Sequence, residues 1–221
     1  MNPSNKVITL SLALTVTFIL LSLSTLIPFF KNISTAQGFF AVAISILAST
    51  GTYKFLVTVI SSVILEFTFL KKMVFGKHYL EGTWVGYYQE PDKHSYLVET
   101  FEQDFDEIVV RGSSFDQSKN RKAQWTSESA SFDATKGTLQ YSYTCHKFKD
   151  RRVEQGIAHF SIIRDRLTTP AKHLYGYSTD VTEGDRSPAW EVKIKDIGMR
   201  HEDAIDEAVK MKQQLDEVRA S

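Results

Sequence analysis

Residues 7–30 carry no charged side chain and are bracketed by Lys6 and Lys31. A second apolar segment, 37–70, is interrupted only by Lys54 and Glu66. A helix rises about 1.5 Å per residue and a bilayer core is about 30 Å thick, so each segment is long enough to span. A cleaved secretory signal is the alternative for the first segment. Its apolar run exceeds the usual signal core and a second span follows directly, which favours a retained helix.

The second segment is too long for one span. The expectation is a span over 38–56, continued to about residue 70 by an amphipathic stalk. Lys54, Thr58, Ser61 or Ser62, and Glu66 form a polar stripe at helical spacing. Ala41, Ser45, Ser49 and Thr52 form a ridge of small residues that would let helices approach closely. Lys6 precedes the first span, and Lys71, Lys72 and Lys77 follow the second, while the loop between carries Lys31 alone. The distribution of basic residues predicts both termini, and everything after residue 77, on the cytoplasmic side. Cys145 is the single cysteine, which is compatible with a reducing compartment.

The remaining chain reads differently. Leu80-Glu81-Gly82-Thr83-Trp84-Val85-Gly86-Tyr87-Tyr88 alternates as a strand does, with Trp84 and Tyr88 on one face among glycines. Strands are expected at 80–90, 94–103, 105–114, 121–129, 137–146, 153–164, 172–179 and 190–197, separated by turn-rich clusters such as Ser118-Lys119-Asn120 and Gly184-Asp185. Eight short strands with tight turns predict an antiparallel up-and-down barrel, large enough to fill with side chains or to hold one small ligand. Trp84 would close the membrane-proximal end. The amphipathic segment 200–220, with Ala204, Ala208, Met211, Leu215 and Val218 in register, is expected to dock on the barrel as a helix. The organisation is thus a membrane-anchored all-β chain: helices over 1–76, a barrel over 77–198 and a C-terminal helix over 199–221.

The formal net charge is zero, which gives no footprint for a DNA or RNA polymer. No nucleophile, phosphate-loop or metal-ligand motif is present, and the six histidines show no ligand spacing. Asp104, Asp106 and Glu107 read as a solvated turn. A binding domain is therefore expected rather than an enzyme, with no metal and no cofactor. Two turns at one barrel end are basic: Lys119, Arg121 and Lys122 beside Asp116, and Lys147, Lys149, Arg151 and Arg152 beside Asp150. Basic groups beside aromatic rings suit a ligand that carries phosphates and stackable bases. The candidate ligand-binding residues are Tyr88, Tyr143, Trp125 and Tyr177 for stacking, and Arg111 and Arg152 for phosphates.

The order of two membrane helices, basic connector and eight-stranded barrel, with its Gly82-Thr83-Trp84-Val85-Gly86 first strand, resembles the transmembrane β-barrel effectors of bacterial cyclic-oligonucleotide antiphage (CBASS) systems. The resemblance implies a lipocalin-like barrel that binds a cyclic dinucleotide made by a partner nucleotidyltransferase. It implies that binding drives self-association of the membrane helices in the lipid bilayer and disrupts the bacterial inner membrane. The competing expectations are a membrane-anchored carrier of a hydrophobic ligand and a tethered protein-interaction scaffold.

Overall fold

The computed structural model describes the backbone of residues 3–30, 35–90, 93–181 and 184–220, with side chains throughout these except 20–47, 215 and 217–220. The chain forms two compact units, Met1–Phe75 and Gly76–Ser221.

The first unit is helical. α1 spans Pro3–Phe30 and α2 spans Thr35–Glu66, and the two pack together. α2 continues past the expected span without a break until Phe67, after which α3 covers Thr68–Phe75. Among the described residues, Ala48–Glu66 is long and apolar enough to cross a membrane, and Pro3–Ile19 is a shorter apolar stretch. The expected spans over 7–30 and 38–56 reach into residues 20–47, and with them go the side chains of Ala41 and Ser45 from the expected ridge. Those lie outside the described residues.

The second unit is a closed barrel of eight antiparallel strands, each paired with its sequence neighbours, and with the first paired to the last. The strands are β1 (Gly82–Gln89), β2 (His94–Gln103), β3 (Ile108–Phe115), β4 (Arg121–Asp133), β5 (Thr138–Lys147), β6 (Val153–Ile163), β7 (His173–Asp180) and β8 (Arg186–Lys195). β2 falls where the alternation puts it. β4 runs four residues beyond its expected end at 129, because a register shift between Ser127 and Ser129 lets pairing with β5 continue to Asp133. β8 starts four residues earlier than expected, at Arg186. Aspartates set several reversals. Asp116 Oδ1 accepts the backbone N–H groups of Ser118 and Asn120, Asp133 Oδ1 those of Thr135 and Lys136, and Asp104 Oδ1 those of Asp106 and Glu107.

Alternation sorts the side chains into two cores. Leu80, Trp84, Phe101, Val110, Leu139, Phe160 and Leu174 fill one end of the interior. Trp84 is fully buried there, donates its indole N–H to the Leu80 carbonyl at 3.0 Å and packs on Phe101 with ring centroids 5.5 Å apart. This is the end at which the chain enters β1, and Trp84 closes it as the strand pattern requires. The second core lies outside the barrel. α4 (His201–Ala220) packs Ala204, Ile205 and Ala208 over Val85, Tyr87, Tyr96, Val98 and Phe115 on the outer face of β1–β3. His201 anchors its first turn, with Nδ1 2.8 Å from the Ser113 hydroxyl and Nε2 3.2 Å from the Thr100 hydroxyl. Met211 joins this contact, and the side chains of Leu215 and Val218 lie outside the described residues.

Candidate functional site: a barrel cavity with a buried carboxyl pair

Above the Trp84 layer the interior is open. A cavity of about 1110 Å³ runs to the end formed by the reversals after β1, β3, β5 and β7. Its size is at the upper end of small-molecule sites, which run to about 1,000 Å³.

One wall is aromatic. Trp125 on β4 lies beside Tyr143 on β5 (6.3 Å between centroids), Tyr143 beside Tyr141 (6.0 Å), and Tyr141 is stacked with Phe160 on β6 (6.2 Å, 22°). Glycines on neighbouring strands make room for these rings. A β-carbon at Gly156 would lie 2.3 Å from Cζ of Tyr143 and one at Gly112 2.0 Å from Cε2 of Trp125. The opposite wall carries Leu97, Tyr88 and Ala189.

Two carboxyls lie at the bottom of this cavity. Glu99 on β2 and Glu191 on β8 flank β1, opposite Trp84 and Gly86 respectively, and are 1% and 0% exposed. Oε1 of Glu99 accepts the Trp125 indole N–H at 2.8 Å and the Tyr141 hydroxyl at 2.6 Å. Oε2 of Glu99 and both oxygens of Glu191 receive no donor from the described residues outside the pair. Burial pushes both carboxyls above the usual carboxylate range, and Glu191 is raised further by the charge of Glu99. Burial first, then Glu99 and Glu191, holds the Tyr141 hydroxyl protonated. Ionising both carboxyls in this space would leave two like charges without water, so the pair keeps a proton to higher pH than an ordinary carboxyl does.

The mouth is mixed in charge. Arg121, Lys122, Lys147, Lys149 and Arg186 stand there with Glu90, Asp116, Asp150, Glu154, Asp180 and Asp185. Lys122 pairs with Glu90 and bonds the Ser95 hydroxyl at 2.7 Å; Lys147 pairs with Glu154. Burial works against the Lys122 ammonium, but its contacts with Glu90 and Tyr88 outweigh that and keep it firmly charged. The two basic turns expected at this end are therefore interleaved with acids that the strand-by-strand reading did not bring together.

The structure brings three of the expected site residues into the cavity: Tyr88, Trp125 and Tyr143. It places three elsewhere. Arg111 follows inward-facing Val110, so it points outward, where it pairs with Glu102 on the barrel surface. Tyr177 lies between Gly176 and Ser178 and faces out by the same alternation, its ring under the Arg186 guanidinium at 4.7 Å. Arg152 belongs to a shallow outer groove with Gln124, His146, Phe148 and Arg151. Glu99 and Glu191 were not singled out from the sequence. Their signal is an acid placed two residues from apolar neighbours on the inward face, Leu97 and Phe101 for Glu99, and Ala189 for Glu191.

Cys145 borders the cavity as a thiol whose pKa burial pushes up to about 11, which keeps it unreactive at neutral pH. No cluster of three or more potential metal ligands occurs among the described residues. Comparison with models of known protein families returns no match, and comparison with curated proteins returns none either.

Proposed function

We propose that this chain is a membrane-linked sensor whose barrel binds a cyclic dinucleotide, and that it acts as an antiphage effector of the CBASS type. The observation that carries the ligand half is the cavity itself. It joins stacking surfaces (Trp125 and Tyr143, backed by the buried Tyr141 and Phe160), cations at the mouth (Lys122, Lys147, Lys149) and buried carboxyls at the floor. A base needs the first and third of these, and a phosphate needs the second. The barrel is a binding module, not an enzyme, and takes no cofactor besides this ligand.

The effector half rests on α1 and α2. The apolar stretch Ala48–Glu66 supports an anchor, and two helices would place the chain in the bacterial inner membrane with both termini and the barrel in the cytosol. The ligand, supplied by a partner nucleotidyltransferase, favours an associated state in which helices from several copies cluster and breach the bilayer. Shifting such an equilibrium from about 1:99 to 99:1 takes a preference of about 5.5 kcal/mol for the associated state. A carrier of a purely hydrophobic ligand is the weaker reading. It would have little use for two buried carboxyls and a charged mouth.

The test uses the full chain in detergent. Cyclic dinucleotides bearing adenine, guanine or uracil, and oleate as the hydrophobic probe, are titrated by calorimetry while light scattering follows particle mass. Saturable nucleotide binding with growth in mass is expected. Binding of oleate alone would replace the sensor reading with the carrier.

A further inference from the structure

We propose that Glu99 and Glu191, sharing one proton, form the base-reading subsite of the cavity: a paired donor and acceptor that takes the hydrogen-bonding edge of one base of the ligand. This rests on the nucleotide reading above and names the groups that would give it specificity.

The argument starts from an imbalance. Glu99 is well supplied on one side, where Trp125 and Tyr141 both donate to Oε1. Its other oxygen and both of Glu191's are buried and meet no donor except the other carboxyl, through a proton held between the two. A core polar network normally satisfies its members, because an unsatisfied buried acceptor costs about 1–3 kcal/mol and an ionised one more. Trp125 and Tyr141 show that this barrel supplies donors when a carboxyl needs holding. Glu191, a buried carboxyl whose one partner among the described residues is another carboxyl, therefore marks a place that a ligand completes. Both glutamates belong to the cavity wall with their carboxyl oxygens covered, so a ligand meets them once their side chains turn towards it.

The pair's protonation decides what it recognises. Each carboxylate is an acceptor only, so the two can bond each other only through a proton. When a ligand arrives, the proton on Glu191 turns from Glu99 towards it, and the pair then offers an O–H donor beside acceptors. This matches the edges of adenine, cytosine and uracil, where a ring or exocyclic N–H adjoins an acceptor atom. Guanine can present its O6 and N1–H in the same way, whereas its adjacent N1–H and N2–H donors call for an ionised carboxylate, so a guanine ligand held by that second edge would gain affinity as pH rises. The tyrosine and tryptophan rings above supply the stacking face and so fix the plane in which that edge arrives.

On β8 itself, Lys193 is buried two residues from Glu191, beyond the Trp84 ring and paired with Asp196, and on β1 Tyr88 lines the wall nearer the mouth. β5 contributes Tyr141 and Tyr143, both held protonated, chiefly by burial. β1, β3 and β4 contribute Gly86, Gly112 and Trp125, which do not titrate. β6 contributes Phe160. On β7, Asp180 lines the cavity towards the mouth. Lys193 is engaged by Asp196, so rising pH removes the shared proton from the carboxyl pair itself.

The test is calorimetry of the full chain in detergent with the adenine, uracil and guanine cyclic dinucleotides, from about pH 6 to about pH 9. Wild type should bind at least one of these ligands through a donor–acceptor edge and lose affinity for it as pH rises. Glu191→Leu should lose about tenfold or more, the scale of one bidentate contact. Glu191→Gln, which keeps a donor beside an acceptor and cannot ionise, should rescue most of that loss and remove the pH dependence. Arg111→Ala, on the outer wall, serves as the unchanged control. Thermal melts of each variant show whether it is folded; if Glu191→Leu is not, the contrast between Glu191→Gln and wild type across pH decides. Nucleotide binding that is insensitive to Glu191→Leu, or a Glu191→Gln profile that keeps the wild-type pH dependence, overturns the proposal and leaves the sensor reading standing. Failure of wild type to bind any of the nucleotides overturns both.

Discussion

Trp125 occupies the space that a side chain at position 112 would fill: a β-carbon on Gly112 would lie 2.0 Å from its Cε2 atom and 2.3 Å from its Nε1. The two residues are register partners across β3 and β4. The glycine thereby sets where the indole lies, and the indole N–H in turn holds Oε1 of Glu99. Replacing Gly112 with alanine should push Trp125 away and strip Glu99 of one donor. A loss of about 1–3 kcal/mol is expected from the unsatisfied carboxyl, with packing strain added. Denaturant melts would measure it, and tryptophan emission should shift. An unchanged melt with unchanged emission would show that Trp125 is not held this way.

The carboxyl pair makes a prediction about pH and stability. Both pKa values are raised in the folded chain. Above the ordinary value of 4.5 the unfolded chain has released these protons while the folded chain still holds at least one. Stability from this pair is thus complete below pH 4.5 and is lost as pH climbs towards the folded value of Glu191. The slope is at most about 1.4 kcal/mol per pH unit for each proton retained. Glu191→Gln should flatten this slope and stabilise the barrel most at neutral and alkaline pH. Equal pH slopes for variant and wild type would contradict a shared proton.

His201 works in the opposite sense. Burial, then the nearby Arg121, lowers its pKa below 6.5 in the folded chain, with Glu202 opposing. Between the folded value and 6.5 the unfolded chain binds the extra proton, so the contribution is present above pH 6.5 and is lost as pH falls. α4 should loosen from the barrel on acidification, since His201 joins the Thr100 and Ser113 hydroxyls at its first turn. Hydrogen exchange at about pH 5.5 and about pH 7.5 would show it. Protection of the α4 amides that does not change over this range would remove His201 as the pH-sensitive anchor.

Position in the barrel separates two residues of similar prominence in the sequence. Trp84→Ala removes a wholly buried ring together with its bond to Leu80 and should cost about 3–5 kcal/mol, enough to threaten folding. Arg111→Ala removes an exposed pair with Glu102 and should change stability by no more than about 1 kcal/mol. It should leave ligand affinity where it was. A binding defect in Arg111→Ala would mean that the ligand contacts the outer wall.

Strand alternation and turn chemistry made the barrel legible. The reversal at Asp116–Asn120 and the face shared by Trp84 and Tyr88 follow from residue types and a period of two. The interior end of the site was also legible, through Tyr88, Trp125 and Tyr143. Arg111 and Tyr177 point outward, which the sequence does not announce, because the face a strand residue takes depends on which of its neighbours is buried. Lys122 and Lys147 looked like free cations because their partners, Glu90 and Glu154, are brought in by cross-strand geometry. Glu99 and Glu191 are 92 positions apart in the chain (191 − 99), and no local pattern joins them. Only closure of β8 onto β1 does so.

That closure has a consequence for assembly. Every strand already spends its backbone hydrogen bonds on two neighbours, so the barrel offers no free edge on which another copy could add a strand. Chains that gather must therefore meet through side chains, on helices or on outer walls. Such contacts can form and break with the ligand, whereas strand exchange tends to lock.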